Sequence, residues 1–127
     1  MIQHHFSGAP WEETIGYARA VKVGNIIEVS GTTSVKDGVV FKPGEAFHQT
    51  IRIYEIINDT LYQMGASLNN ATRVRIFVVN LEANWVQVAM AHKAVIGSAR
   101  PAMSMIGVSA LIDPDMLVEI EVTAILS

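Results

Sequence analysis

The fold is decided by the segment Leu117-Val118-Glu119-Ile120-Glu121-Val122-Thr123-Ala124, in which polar and apolar residues alternate. That period of two is typical of a β-strand with one buried and one polar face. A second stretch, Arg100-Pro101-Ala102-Met103-Ser104-Met105-Ile106, opens the preceding strand. Glu119 and Glu121 share the polar face, where a partly buried carboxylate is costly unless another group pairs with it. This face is therefore expected to form a binding cleft or a polar subunit interface.

Three further strands are predicted before this segment. Residues 17–23 alternate and return through Gly24-Asn25 into residues 26–30, which predicts a β-hairpin with a type II′ turn. Residues 72–79 also alternate. They are expected to place Val74, Ile76 and Val78 on one face and Arg73, Arg75, Phe77 and Val79 on the other.

Two helices are predicted between the strands. Residues 45–64 carry an apolar stripe at spacings of three and four, and Gly65 follows as a C-cap. A second helix is expected from Asn84, as N-cap, to about Ile96. One of its sides would carry Val86, Ala89, Met90, Lys93 and Ala94.

The predicted order β-β-α-β-α-β-β indicates an α+β fold, with both helices on one face of a mixed sheet. The other face then needs a partner. Only 17% of the residues are charged and 50% are hydrophobic, whereas roughly 25% are charged in ordinary globular proteins. Both observations favour a homo-oligomer of a single domain that spans residues 1–127.

Composition also argues against several partners and sites. The net charge is −3 and no run of Lys or Arg occurs, so we expect no nucleic-acid partner. The chain has no cysteine and no apolar run of about 20 residues, so we expect no thiol chemistry and no membrane partner. His48 and His92 have no second ligand at helical spacing, and His4 and His5 lie near a terminus expected to be flexible. Neither a metal site nor a cofactor is therefore predicted. The start of the chain does not resemble a signal peptide, which favours a cytoplasmic location.

Several short motifs occur in an order that is similar to the Rid (YjgF) family, over nearly the whole chain. They are Ile15-Gly16-Tyr17, Val29-Ser30-Gly31, Met64-Gly65-Ala66, Val74-Arg75-Ile76-Phe77-Val78, Arg100-Pro101-Ala102 and Val118-Glu119-Ile120-Glu121. The resemblance implies a chorismate-mutase-like α+β fold that assembles as a barrel-cored homotrimer, with clefts for a small-molecule metabolite between subunits. It also implies cofactor-free hydrolysis of 2-iminoacids and their enamine tautomers.

The resemblance carries site roles to individual residues. Glu119 corresponds to the glutamate that positions or activates water, and Tyr17 and Ser30 correspond to neighbouring polar residues. Ala89 stands where the family often has asparagine. Met103 stands where an arginine of a Pro-Ala-Arg-Ser motif would clamp the substrate carboxylate, and methionine cannot bind a carboxylate.

Alternative roles remain open for each of these residues. Arg100, Arg19 and Arg75 are candidates for a substitute clamp, although Arg19 and Arg75 also suit ion pairs with Glu119 and Glu121. Arg100 precedes a proline and is expected to be extended. Tyr17 also suits an interface, and Ser30 also suits a turn. Phe6 and Trp85 are candidates for an aromatic wall, with packing at a helix start as the alternative for Trp85.

Four functions are consistent with these observations. The first is hydrolysis of an imine, enamine or related C–N bond, with the 2-iminoacid activity weakened by Met103. The second is ligand binding or regulation without turnover. Ribonuclease activity is disfavoured by the acidic balance, and the fourth function is stabilisation of a larger enzyme complex.

Overall fold

The structure is a computed structural model that describes all residues 1–127. Eight strands and two long helices follow one another along the chain: β1 (Ile2–His5), β2 (Ala20–Val23), β3 (Ile26–Thr33), β4 (Val35–Lys36), β5 (Val39–Val40), α1 (Ala46–Gln63), β6 (Ala71–Val79), α2 (Leu81–Ile96), β7 (Ala102–Val108) and β8 (Val118–Ile125). A π-helical turn, Glu12–Gly16, precedes β2, and a 3-10 turn, Leu68–Asn70, precedes β6.

Six of the strands form one mixed sheet in the order β1-β2-β3-β8-β6-β7. Neighbours are antiparallel except β6 and β7, which are parallel. A parallel pair needs a crossover connection, and α2 supplies it. The remaining strands, β4 and β5, form a separate two-stranded hairpin. The predicted α+β architecture is confirmed.

The core lies between the sheet and the helices. Alternate residues of β6 and β8 are buried there, and they pack with apolar side chains of α1: Val74, Ile76, Val78, Val118, Ile120, Val122, Ile53, Tyr54, Ile57 and Leu61. Each such side chain contributes about 1.5–3 kcal/mol when it leaves water. The predicted division of β6 and β8 into two faces is confirmed, and Arg75, Phe77, Glu119 and Glu121 lie on the face without helices.

The end of α1 also follows the prediction. Gly65 has a left-handed φ of +84°, and its N–H donates to the carbonyl of Tyr62 at 3.1 Å. The N–H of Ala66 donates to the carbonyl of Leu61 at 2.9 Å. This pair of bonds is a Schellman motif, which satisfies carbonyls that the helix end leaves free.

The second helix differs from its prediction in both start and orientation. It begins at Leu81 after a left-handed Asn80 (φ 54°), and the Asn84 side-chain amide donates to the carbonyls of Val79 and Asn80. The predicted side is not the packed one, since Val86 and Met90 are half or more exposed. Val88, Ala91 and Ile96 are buried instead. Apolar residues surround this helix on all sides, so their spacing does not identify the buried face.

The N-terminal prediction is also corrected. Ile2–His5 is not a flexible end but β1, paired with β2 in the register His4↔Val21. The predicted strand over 17–23 begins only at Ala20, because the π-helical turn brings the chain to Tyr17. The predicted type II′ turn is supported by a φ of +59° at Gly24, its first central residue. Neither α1 nor α2 combines the length and the apolar character that crossing a membrane requires.

Candidate active site

A β-bulge in β3 is the local feature that builds the candidate site. Pairing with β8 is regular up to Val29↔Val122 and resumes at Thr32↔Ile120. Two residues, Ser30 and Gly31, therefore lie opposite one residue of β8. Val29 and Thr32 are both buried, whereas Ser30 and Gly31 are half-buried outside the core. Bulges of this kind redirect side chains and are common beside active sites.

The Glu119 side chain lies against the backbone of Gly31. A β-carbon built at position 31 would be 2.0 Å from Glu119 Oε2 and 3.0 Å from Cδ. Only glycine leaves room for the carboxyl group in this position. The carboxyl group is thus held at the bulge, beside Ser30.

Arg19 lies between the bulge and Tyr17. Its Nη2 donates to the carbonyl of Gly31 at 2.5 Å, and its Cζ lies 5.8 Å from the centroid of the Tyr17 ring. That distance is within the range of a cation–π interaction. Arg19 Nε is buried without a hydrogen-bond partner, which is a costly state for a polar atom. The guanidinium is therefore held by protein groups on two sides, and its unpartnered Nε is buried and does not line the groove described below.

The environment of Glu119 favours its protonated form. Burial raises the pKa of the carboxyl group above its ordinary value, and the negative charge of Glu121 raises it further. Arg19 opposes both effects by lowering the pKa of Glu119. A carboxyl group with a raised pKa can both accept and release a proton closer to neutral pH, as general acid–base catalysis requires.

An open groove of about 540 Å³ runs beside Ser30 and Tyr17. The Ser30 hydroxyl donates to the carbonyl of Ala18 at 2.7 Å, so its oxygen is free to accept a hydrogen bond from a ligand. The groove is lined by residues of β1, the π-helical turn, the segments that follow each of them, β2 and the β3 bulge: His4, Phe6, Glu12, Glu13, Gly16, Tyr17, Ala18, Val21 and Ser30.

Glu121 and Arg75 lie farther along the helix-free face. The two residues are register partners on β8 and β6, and Arg75 Nη1 lies 4.0 Å from Glu121 Oε1. Both side chains are more than 40% exposed, so the pair is a weak surface ion pair. With Ser30 they line a second hollow of about 230 Å³.

Met103 and Ala89 are not brought to this cluster. Met103 pairs with Val74, whose side chain faces the helices, so Met103 lies on the opposite face of the sheet from Glu119. Ala89 is half-buried on α2. One protomer therefore carries two separate groups of predicted site residues: Tyr17, Arg19, Ser30 and Glu119 on one side, and Ala89 and Met103 on the other.

Arg100 differs from its prediction. It is exposed, with a φ of 48° in the left-handed region, rather than extended. Its N–H donates to the carbonyl of Gly97 at 3.3 Å, because the chain turns sharply after α2. This turn outweighs the local preference for an extended residue before proline.

Several residues of the site were not predicted from the sequence, among them Gly31, His4, Glu12 and Glu13. An isolated glycine within a strand pattern does indicate a bulge, so Gly31 could have been found. Glu12 is buried and accepts hydrogen bonds from the backbone N–H of Ser7, at 2.9 Å, and from the Ser7 hydroxyl. No sequence pattern predicts this contact between Ser7 and Glu12.

Titratable side chains do not cluster elsewhere into a metal site. No group of three or more His, Asp or Glu residues is arranged to hold a metal ion. Phe6 lines the groove, as one of the two aromatic candidates. The other, Trp85, is half exposed on α2.

Comparison with known proteins identifies relatives over nearly the full chain. The sequence model of the family described as "Endoribonuclease L-PSP" matches residues 9–126. An uncharacterized protein of Streptomyces coelicolor is 32% identical over 93% of this chain and 87% of its own length. A RutC family protein of Pyrococcus abyssi is 33% identical over 85% of this chain and 84% of its own length.

Solved structures show the same fold. Rv2704 of Mycobacterium tuberculosis, described as a member of the YjgF/YER057c/UK114 family, has 36% sequence identity and a TM-score of 0.89. That match covers 99% of this chain and 100% of Rv2704. A protein from Thermotoga maritima described as a putative endoribonuclease has 26% identity and a TM-score of 0.82, over 98% of this chain and 92% of its own. The chain belongs to the Endoribonuclease L-PSP family, also called the YjgF or Rid family.

Proposed function

We propose that this protein binds a small metabolite in clefts between subunits of a homotrimer and hydrolyses an imine, enamine or related C–N bond there. The observation that supports this proposal is the Glu119 carboxyl group, held against Gly31 with a raised pKa, beside Arg19 and Ser30. Membership of a family that is typically trimeric supports the assembly. In this proposal one domain, residues 1–127, acts in the cytoplasm without a cofactor.

The two separated groups of site residues support a cleft made by two protomers. Glu119, Ser30 and Tyr17 lie on one side of the chain, while Ala89 and Met103 lie on the other side of the sheet. The helix-free face also carries the half-buried Phe77 and the exposed Arg75–Glu121 pair, which suit a polar subunit interface. A neighbouring protomer would supply Met103 and Ala89 to the Glu119 side of the cleft.

Glu119 is the acid–base group of the proposed reaction. Its carboxylate takes a proton from water as the water oxygen bonds to the imine carbon, and the C=N electron pair moves to nitrogen. The nitrogen then takes that proton back from Glu119, which gives a carbinolamine and restores the carboxylate. Glu119 next takes the hydroxyl proton and passes it to the nitrogen, so that the C–N bond breaks with release of ammonia as the carbonyl forms. The products are a carbonyl compound and ammonia, so one imine and one water are consumed without an oxidant or reductant.

Met103 favours a second candidate function. Its thioether offers no charge to a substrate carboxylate, so a 2-iminoacid would lack a clamp at this position. A trimer that binds a ligand without consuming it is consistent with this substitution. Ligand binding that raises the melting temperature, with no product formed, would distinguish this function from hydrolysis.

The proposed hydrolysis is tested by 2-oxoacid release from a 2-iminoacid that threonine dehydratase generates in situ. Wild type, Glu119→Gln and Met103→Arg are compared at equal trimer concentration, established by light scattering. Weak acceleration by the wild type, lost in Glu119→Gln and increased in Met103→Arg, is expected. Acceleration that survives Glu119→Gln would contradict the role of this carboxyl group.

The remaining alternatives have their own tests. Ribonuclease activity requires RNA retention that falls with salt, and the net charge of −3 argues against it. A structural role in a larger enzyme complex requires a stable partner in a native pull-down. Either result, without imine hydrolysis, would replace the proposed function.

A further inference from the structure

The groove beside Tyr17 carries acids and hydrogen-bond acceptors. Glu12 and Glu13 both line it, and the Ser30 oxygen is an acceptor because its proton is donated to Ala18. Glu119 lies next to Ser30, against Gly31. The charged groups at this end of the site are thus mostly carboxyl groups.

No lysine or arginine lines the groove. The nearest guanidinium, that of Arg19, is engaged by the Gly31 carbonyl and lies over the Tyr17 ring. Its charge also acts on Glu119. A substrate carboxylate in the groove would therefore meet acids without a free cation to pair with, and like charges at close range repel strongly.

An aromatic wall completes the groove. The rings of His4 and Phe6 are stacked, with centroids 6.1 Å apart and planes 10° apart, and Tyr17 lines the same groove. Phe6 is 62% exposed, so its ring presents a large apolar surface to a ligand. Such surfaces attract planar apolar groups and cations.

We propose that the groove selects imines or enamines that lack a carboxylate and carry a planar apolar substituent, bound through an N–H or cationic nitrogen. This inference rests on the proposed function and specifies its substrate class. The nitrogen would donate to the Ser30 oxygen and face the acids, while the substituent would lie along His4 and Phe6. Hydrolysis of R–CH=NH with one water then gives R–CHO and ammonia, with Glu119 moving the proton as described above.

A matched pair of imines tests this inference. L-Amino acid oxidase converts phenylalanine to 2-imino-3-phenylpropanoate, and a flavin-dependent amine oxidase converts 2-phenylethylamine to 2-phenylethanimine. The two imines differ only by the carboxylate. The loss of each is followed by semicarbazide trapping, with and without the protein. We expect a preference of about tenfold in kcat/KM for the imine without a carboxylate.

Variants assign that preference to the groove. Glu13→Gln should reduce the preference about two- to threefold. The exposed Glu13 carboxylate attracts a cationic imine only weakly, because water and salt screen the interaction. Glu82→Gln removes another exposed acid, from α2 and outside the groove, and should leave the preference unchanged. Phe6→Ala should lower kcat/KM for 2-phenylethanimine more than kcat/KM for ethanimine, which has no ring.

A binding measurement separates this inference from the proposed function. Calorimetry compares 2-phenylethylammonium with phenylacetate, which have the same ring and opposite charges. Faster loss of the imino acid, or tighter binding of phenylacetate, would overturn the substrate class and leave C–N hydrolysis standing. Selective binding of the ammonium without any turnover would support the ligand class and overturn the catalytic proposal. Failure of both ligands and both imines would overturn both.

Discussion

Glu119 Oε2 occupies the position beside Gly31 that a side chain would need: a β-carbon there would be only 2.0 Å away. The clash is with the far end of a flexible side chain, whereas the backbone of Gly31 does not require a left-handed φ. The chain can therefore accept a larger residue at 31 by moving Glu119. This makes Gly31 a position where carboxyl placement and folding can be tested separately.

Gly31→Ala is predicted to reduce the proposed imine hydrolysis about 100-fold, since a displacement of about 1 Å in a catalytic group can have that effect. The melting temperature should change little, because Glu119 can rotate away from the new methyl group. Steady-state kinetics and thermal unfolding measure the two effects. Gly107→Ala is the matched control, since its added methyl meets Leu81 rather than Glu119. Equal losses of activity in both variants would contradict the prediction.

The raised pKa of Glu119 predicts a gain in stability on removing its charge. The folded protein binds this proton more tightly than the unfolded chain, whose carboxyl group has a pKa near 4.5. The free energy of unfolding therefore falls as pH rises from below 4.5 through the folded pKa. Glu119→Gln should be more stable than wild type at pH 7, and this difference should shrink towards pH 4. Urea unfolding at both pH values checks the sign, and a difference that grows as pH falls would refute it.

Two substitutions should move the pKa of Glu119 in opposite directions. Glu121→Gln removes a negative charge and should lower it, whereas Arg19→Met removes the opposing positive charge and should raise it. Carbon-13 NMR of the glutamate carboxyl groups follows each titration. Arg75→Met is the control, because Arg75 pairs with Glu121 at 4.0 Å and does not perturb Glu119 directly. Shifts in the same direction for Glu121→Gln and Arg19→Met would contradict this account.

A hydrogen bond between the helices should make stability depend on pH near neutrality. The Tyr54 hydroxyl and His92 Nδ1 are 2.6 Å apart, and burial lowers the pKa of His92 below 6.5. His92 therefore binds a proton more readily in the unfolded chain than in the folded chain. The free energy of unfolding falls as pH falls below 6.5. His92→Gln should flatten this loss, while His48→Gln, at an exposed histidine of α1, should not.

Tyr54→Phe tests the same contact at constant pH. The buried bond should contribute about 1 kcal/mol, typical of a hydrogen bond inside a protein. Denaturant unfolding at pH 8 should show that loss. A double variant with His92→Gln would show less than the sum of the two effects, because both substitutions break one bond. Additive effects would indicate that the two side chains act independently.

Sequence reasoning predicted the parts of the fold that depend on periodicity. The two faces of β6 and β8 followed from strict alternation, and the end of α1 followed from Gly65. The start of α2 was predicted wrongly. Its N-cap, Asn80, has a left-handed backbone and makes no side-chain hydrogen bond to the helix. The N-terminal strand was missed because its partner, β2, lies beyond a π-helical turn that has no sequence signature.

The candidate site was predictable in its residues more than in its geometry. Tyr17, Arg19, Ser30 and Glu119 lie close together in the structure, although Tyr17 and Arg19 precede β2 and do not lie on the predicted strand. The separation of Met103 from Glu119 depends on the parallel pairing of β7 with β6. Such pairing is a tertiary property, which local patterns do not encode.

The bulge at Ser30-Gly31 adds a residue to β3 at the site without changing which side chains of β3 are buried in the core. Along β3 the buried residues are Ile27 and Val29 before the bulge and Thr32 after it, so the extra residue shifts the alternation by one. A chain shortened by one residue here would place Ile27, Val29 and Thr32 in regular alternation on the buried face. It would lose the recess beside Gly31 that receives Glu119. One inserted residue in β3 is therefore what separates a regular strand from a strand that receives the Glu119 carboxyl group.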